Sequence, residues 1–321
     1  MKRWIVGLAS ALIVTQAAFA AEYRWLNSWD RNHYAVPNIT EPYIKAVEAA
    51  SKGAIKFTVS GPETVPPFEQ LQPVAAGAFQ FLMTHGSYHF GTSPLLTAIE
   101  AIGGTPAERY ASGLIEWVDQ QYQKLGVKLI ALPMTPDGCY HIILRQPLSA
   151  AGDLQGRKIR ATPSYGGVLK QLGASSVLLP PAEVYQALEK GVVDGAGWPV
   201  LGTVNYRWHE VAKHMLRPGF GFGTNPILVN LTTWNKFSDA EKKILIDEGK
   251  KLEQSWLKDG IRLTIEEEKA LAEKGMQAIK LPDAQYKKLH QAWNDSIWEV
   301  TAQKAKKEVE ELRAMAKAKG L

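Results

Sequence analysis

The sequence predicts an α/β fold of two domains that face one another across a ligand cleft. Three observations lead there: a strand–helix rhythm from residue 22 to 133, a second set of the same rhythm from 140 to 199, and an almost wholly helical stretch from Ser238 to Gly275. Short β-rich runs alternating with helices argue for right-handed βαβ units and a mostly parallel sheet. At 321 residues the chain is long enough for two such cores. Open α/β sheets bind ligands beyond the carboxyl ends of their strands, and two sets of such ends can share one cleft.

The first set opens with a strand at 22–28 and a helix over about 40–52 that ends at Gly53. A strand at 54–60, a short helix near 68–76 ending at Gly77, and a strand at 78–84 follow. An amphipathic helix over 107–126, closed by Gly126, leads into an apolar strand at 127–133. In the second set, strands at 140–146, 157–162 and 175–180 alternate with helices at about 165–172 and 181–190, and 194–199 is a short closing element. Ser238 followed by Glu241 is a capping box. The helix it starts would reach roughly 50 Å at about 1.5 Å per residue, which suits a single helix backing both domains, although Gly249 and Gly260 are places where it can break. Two final helices, about 283–299 and 302–318, carry Trp293, Ile297, Trp298, Val309 and Leu312 as a core stripe. The expected division is a leader at 1–20, a first domain of 21–141 with 228–268, and a second of 142–227 with 269–321.

The leader reads as a secretory signal. Lys2 and Arg3 precede the apolar run Ile5–Val14, and Ala18-Phe19-Ala20 supplies the small residues of a cleavage site before Ala21. The apolar run falls short of the roughly 20 residues that span a bilayer. The expectation is therefore export to the periplasm of a chain that is not itself membrane-spanning. Loss of Lys2 and Arg3 lowers the formal charge from +5 to +3. The remaining charges are interspersed: Lys304, Lys306 and Lys307 are followed by Glu308, Glu310 and Glu311, a solvated helix face rather than a nucleic-acid patch. Cys139 is the one cysteine, so no internal disulfide forms.

The stretch "GRKIRAT" (156–162) carries the functional question, because Arg160 ends a buried strand. Arg is almost never fully buried unless paired. Either an internal carboxylate such as Glu183 or Asp194 satisfies it, or a ligand does. At this point the chain closely resembles the periplasmic solute-binding proteins of tripartite ATP-independent periplasmic (TRAP) transporters. The resemblance runs through "LQGRKIRA", "LGASSVLLPPAEVYQALEKGVVDG" and the following Trp-Pro, and takes in the signal, the strand after Gly77 and the long helix. It implies a periplasmic-binding-protein fold with a hinge, no enzymatic activity, no cofactor and no metal. It implies a receptor that closes on an organic anion and delivers it to the membrane subunits of a TRAP permease. Arg160 matches the family's Arg that pairs bidentately with the ligand carboxylate, a role suited to a planar fork of donors.

Departures from the family pattern bear on specificity. Where the family usually has Gln-Glu-Asn-Pro, with the Asn on the ligand, this chain has Ala196-Gly197-Trp198-Pro199, and Trp198 offers a flat apolar wall with one N–H donor. His85 and Tyr88 stand where sugar-acid-binding members carry charge, and Tyr140 falls near the place of a second ligand-facing Arg, with Arg145 close by in an unassigned register. The expected ligand is a small monocarboxylate with a ring or apolar body, such as pyroglutamate or an aromatic 2-oxo or 2-hydroxy acid. Trp29, Ser28, His33, Tyr165 and Asn225 are further candidate contacts, each also readable as packing or, for Asn225, as a hinge.

Two other classes compete. A binding protein that presents its ligand to a membrane sensor kinase would keep the same pocket. A periplasmic Cys/His hydrolase would rest on Cys139 and His141, which share a strand face, but no G-x-S-x-G elbow is present. His85 and His89 lie in a turn-like stretch rather than on the helix a His-x-x-x-His zinc site needs, and "GFGFG" (219–223) reads as a flexible crossover.

Overall fold

A computed structural model describes residues 21–321; the expected leader and its cleavage point lie outside the described residues. Strands Ala21–Asn27 (β1), Ile55–Ser60 (β2), Phe81–Met83 (β3), Val127–Ala131 (β4) and, later in the chain, Ile227–Asn230 (β10) make one sheet, in the order β2-β1-β3-β10-β4. Strands Tyr140–Leu144 (β5), Lys158–Arg160 (β6), Ser175–Val177 (β7), Gly195–Pro199 (β8), His214–Arg217 (β9) and Gln277–Lys280 (β11) make the other, in the order β11-β9-β5-β8-β6-β7.

The sheets are mixed rather than mostly parallel. β10 runs antiparallel to β3 and β4, and β5 runs antiparallel to β8 and β9. The reason lies in how the chain travels. Strands such as β1, β3, β6 and β8 run toward the space between the sheets, so their carboxyl ends face it. β5 and β10 each arrive from the opposite sheet, so they begin at that space and run away from it. The short strands β9, β10 and β11 lie outside the expected strand set, and the closing element at 194–199 is the inner strand β8.

The two crossings lie side by side and are bonded together. The amide N–H of Thr135 donates to Gly223 O at 2.9 Å, Gly138 to Gly221 O at 2.9 Å, Phe220 to Tyr140 O at 2.7 Å and Asn225 to Pro133 O at 2.8 Å. A Cβ at position 219 would stand 2.1 Å from Gly138 O, so the glycines of "GFGFG" serve close backbone approach. The expected flexible crossover is instead a pinned one.

The long helix is unbroken over Asp239–Glu273, 35 residues, and Ser238 and Glu241 form the expected capping box. Gly249 does not break it because its bare Cα lets β4 approach: a Cβ there would lie 3.0 Å from Ile130 O and Ala131 Cβ. Toward the first sheet the helix takes a hydrogen bond from Tyr43 Oη to Leu245 O (3.0 Å) and gives one from Trp256 Nε1 to Met134 O (2.6 Å). Toward the second, Glu267 accepts from the Val204 amide at 2.7 Å and Glu268 pairs with Arg217 at 3.0 Å. The helix expected over 107–126 divides into Pro106–Ala111 and Leu114–Gln123 because Gly113 takes φ +78°. The final pair is one run, Asp283–Ala318, kinked at Ala305 (φ −142°, ψ 55°). Before the kink, Trp293 and Ile297 pack with the second sheet; beyond it, Val309, Leu312 and Ala316 join Leu26 and Leu82 of the first.

Candidate ligand-binding site

Because the strand ends face one another, side chains from both sheets enclose a nearly filled cavity of about 10 Å³, room for little more than one water. Trp29, His33, Tyr34, His85 and Tyr88 come from the first sheet's loops, Tyr140, Arg160, Thr162, Tyr165 and Trp198 from the second, and Asn225 from a crossing. Of the residues singled out in the sequence, Arg160, Trp198, Tyr88, His85, Trp29, Tyr140, Tyr165, Asn225 and His33 thus meet in one place. Ser28 does not: its hydroxyl is spent 2.7 Å from Gln70 Oε1 and 2.6 Å from Thr84 Oγ1 behind the wall. Arg145 is also elsewhere, against Gly191.

Arg160 is the last residue of β6 and only 1% exposed. Its Nε donates to Leu179 O at 2.9 Å and its Nη1 to Gly197 O at 3.3 Å. Its Nη2 has no partner, and no carboxylate pairs with it among the described residues. Of the two internal acids in sequence reach, Asp194 accepts instead from the Lys158 amide at 2.8 Å, and Glu183 lines a separate outer groove. A buried cation with neither anion nor full hydrogen bonding carries a desolvation cost, which a ligand carboxylate at Nη2 removes.

Trp198 lies beneath the guanidinium, with Arg160 Cζ 5.0 Å from its ring centre, a cation–π arrangement. Its N–H is not the free donor that the sequence reading offered to a ligand: Nε1 donates to Leu201 O at 3.2 Å, because the Pro199 turn folds the chain back under the ring. Gly197 makes room for Tyr165, whose ring would lie 2.6 Å from a Cβ there. Opposite, Trp29 Nε1 donates to Tyr88 Oη at 3.0 Å and stacks on His33 at 4.1 Å. Asn225 Nδ2 donates to Tyr34 Oη at 3.1 Å while its Oδ1 has no partner among the described residues.

The electrostatics isolate Arg160. Burial, then the charge of Arg160 and the neighbouring His89, lower His85 to about 3; burial, then His85 and Arg160, hold His33 well below its ordinary value. Burial raises Tyr88, with Arg160 pulling the other way. Behind His85, burial pushes Glu100 up to about 8, against hydrogen bonds from Ser164 and the Thr224 amide. Glu100 Oε1 lies 3.2 Å from His85 Nδ1, yet at neutral pH both groups are uncharged and the contact is no ion pair; Nδ1 is taken by Ser87 Oγ at 2.6 Å, and Oε1 has no hydrogen-bond partner among the described residues. Arg160 is left as the cavity's single charge.

Tyr34, Thr162 and Glu100 went unnoticed in the sequence. Thr162 had a signal, standing two residues beyond Arg160 on the same side of an extended chain. Tyr34 had none. A larger groove of about 440 Å³ outside Trp29 is open and lined by Pro62, Pro66, Pro67, Pro180 and Pro181 with Asp30, Glu63 and Glu183, a setting that repels an anion. Cys139 is no activated nucleophile: burial pushes its thiol up to about 11, and neither ring nitrogen of His141 has a hydrogen-bond partner among the described residues.

Comparison with known proteins places this geometry. Residues 28–305 match the family described as bacterial extracellular solute-binding protein, family 7. The chain is 27% identical over 217 residues to a monocarboxylate 2-oxoacid-binding periplasmic protein of Nostoc sp.; the match takes in 64% of this chain and 58% of that protein, less than two thirds of the relative's length. Its fold superposes with a TM-score of 0.79 on a Bordetella pertussis extracytoplasmic solute receptor binding pyroglutamic acid, at 20% identity, over 93% of this chain and 100% of that one. It superposes with a TM-score of 0.82 on a TRAP periplasmic solute-binding protein from Desulfovibrio salexigens with bound orotic acid, at 18% identity, over 93% and 98% of the two chains.

Proposed function

The chain belongs to the family 7 bacterial extracellular solute-binding proteins, solute receptors of TRAP transporters, and from that premise we propose that it captures a small monocarboxylate with a ring or apolar body at Arg160 and delivers it to a TRAP permease from the periplasm. Pyroglutamate and aromatic 2-oxo or 2-hydroxy acids are the ligands of first choice. The observation that carries the reading is the unpartnered Nη2 of a buried Arg160 inside an aromatic cavity. A planar guanidinium takes a carboxylate in two parallel hydrogen bonds. One cation balances one carboxylate, whereas a dianion would leave a net negative charge in a low-dielectric space. The ring faces of Trp198, Tyr165 and Trp29 suit an apolar body.

The same proposal makes residues 21–141 with 228–268 one lobe and 142–227 with 269–321 the other. The final helix Asp283–Ala318 straddles them, its part beyond the Ala305 kink packing on the first lobe although the division assigns it to the second. The ligand would bridge Arg160 and Trp198 to the His85–Tyr88 wall and so favour the closed form by its differential affinity. Among the described residues no helix is long and apolar enough to cross a membrane.

Thermal unfolding of Ala21–Leu321 against a panel of carboxylates tests the reading. A ligand at 100 times its Kd adds about 2.7 kcal/mol, a shift of several degrees. Pyroglutamate or phenylpyruvate is expected to shift the wild type and leave Arg160→Ala unmoved. A response to dicarboxylates alone refutes the ligand class, and an undiminished response in Arg160→Ala refutes the site.

A further inference from the structure

Among the described residues that line the cavity, two buried side-chain atoms have no hydrogen-bond partner, Arg160 Nη2 and Asn225 Oδ1. The first is a charged donor and the second a neutral acceptor. The carboxylate of the proposed ligand answers the first and leaves the second unmet. A buried carbonyl oxygen left without a donor bears its full desolvation cost, so the acceptor calls for a group of its own.

Asn225 is 1% exposed and cannot turn to find a partner within the chain. Its backbone N–H donates to Pro133 O at 2.8 Å, and on either side Thr224 bridges to Met134 while Pro226 O accepts from the Thr84 amide at 3.3 Å. The side-chain Nδ2 donates to Tyr34 Oη at 3.1 Å. The Tyr34 ring is fixed in turn, stacked on Trp256 of the long helix at 5.7 Å with 10° between the planes. The nitrogen end of the amide is therefore spent on a rigid partner and the oxygen end is left over. The charge of Arg160 favours the same orientation, because it attracts the negative end of the amide dipole toward the ligand space. Neighbouring donors are occupied elsewhere: Trp198 Nε1 by Leu201 O, Tyr165 Oη by His141 O at 3.3 Å, and Trp29 Nε1 by Tyr88 Oη.

We infer that Asn225 is a specificity-determining residue, and that the ligand carries, beside its carboxylate, an N–H or O–H that donates to Asn225 Oδ1. This rests on the Arg160 cavity being the ligand site. It divides the ligands of first choice. The lactam N–H of pyroglutamate and the hydroxyl of a 2-hydroxy acid both sit on the carbon that bears the carboxylate, and both are donors. A 2-oxo acid puts a carbonyl oxygen in that place, which sets lone pair against lone pair. A site with a buried polar group to satisfy rejects an analogue lacking the matching group more strongly than an apolar wall does. Hydroxy acids and lactams are thereby separated from oxo acids of nearly the same shape and the same charge.

Matched pairs titrated by calorimetry test this: each enantiomer of lactate against pyruvate, and pyroglutamate against 3-oxocyclopentane-1-carboxylate, in which a methylene replaces the N–H. The donor-bearing member of each pair is expected to bind the wild type about tenfold more tightly, the worth of one hydrogen bond. In Asn225→Leu, a side chain of similar size, the two members should bind alike, and Arg160→Ala should bind neither. The wild-type comparison stands whether or not the leucine variant folds. Equal affinities within the pairs mean that water meets Oδ1 as well as a ligand does, and they overturn the inference while the carboxylate site survives. Tighter binding of pyruvate, or a donor preference that persists in Asn225→Leu, overturns it as well. If none of these acids binds the wild type, or if binding is undiminished in Arg160→Ala, the ligand reading of the cavity falls and takes the inference with it.

Discussion

Arg109 and Arg160 are both buried, 2% and 1% exposed, and their surroundings are opposite. Arg109 sits on the helix Pro106–Ala111, and none of its side-chain nitrogens has a hydrogen-bond partner among the described residues. Burial draws it below the usual guanidinium value, and the nearby carboxylate of Glu253 pushes back. Glu253 is itself held in place, accepting from the Leu132 amide at 2.7 Å and Tyr110 Oη at 2.9 Å. There a carboxylate near enough to favour the guanidinium's charge is part of the fold, without an ion-pair contact between the two. At Arg160 the chain supplies two carbonyl oxygens, a Trp ring and no carboxylate. Burial of a guanidinium therefore marks nothing by itself. A buried guanidinium that opens on a cavity and lacks an internal anion marks a place for one from outside.

The sharpest way to break this contrast is to remove each arginine in turn. Arg109→Leu takes the nearby cation away from Glu253 and should lower ligand-free stability by about 1–3 kcal/mol in urea unfolding. The surviving folded protein should keep its affinity for pyroglutamate. Arg160→Ala removes an uncompensated cation, so its ligand-free unfolding should be unchanged or slightly strengthened, while affinity falls by about a hundredfold, as expected for charged hydrogen bonds worth up to about 3 kcal/mol. Equal destabilisation by the two variants would erase the distinction.

A smaller effect tests how the Arg160 side of the comparison is built. A Cβ at position 223 would stand 2.0 Å from Tyr140 Oη. Gly223→Ala should displace that hydroxyl, costing about 1–3 kcal/mol in ligand affinity measured by calorimetry, and should leave the Arg109–Glu253 region untouched.

The smallest effect is in the pH dependence of stability. His85 and His89 are lowered by burial to about 3 and about 4, so the folded chain binds fewer protons than the unfolded one. Their contribution is present above the ordinary value of 6.5 and is lost as pH falls through those values. Glu100, raised to about 8, has the opposite sign: its contribution is complete below 4.5 and lost as pH rises toward 8. Urea midpoints at pH 5, 6.5 and 8 should show both slopes in the wild type. Glu100→Gln should abolish the alkaline decline and keep the acidic one.

Much of the Arg160 side was legible because its signals are local. The strand end "KIR", the following turn, the Glu183 first turn and the Ser238–Glu241 capping box are each contained within a few residues. The Arg109 side was not, since Glu253 stands 144 positions further on and nothing in "PAERYA" announces it. Glu100 was hidden in the same way, inside the apolar run "LLTAIEAIGG", its meaning fixed by Ser164 and His85 from distant turns. The strands β9, β10 and β11 are four residues each, too short for periodicity to register, and their pairing follows from the route between the sheets. The two readings of the long helix could not be separated by propensity, because whether Gly249 interrupts a helix or admits a neighbour depends on β4.

That helix has a mechanical consequence. A rod fixed by Leu245 and Trp256 to one sheet and by Glu267 and Glu268 to the other constrains how the two bodies can move. Sliding and twisting of one body on the other would each tear a fastening, while rotation about a line near the paired crossings tears none. On the proposed reading, opening is the motion left to the two bodies, and a permease that must tell a loaded receptor from an empty one would have a single angle to measure.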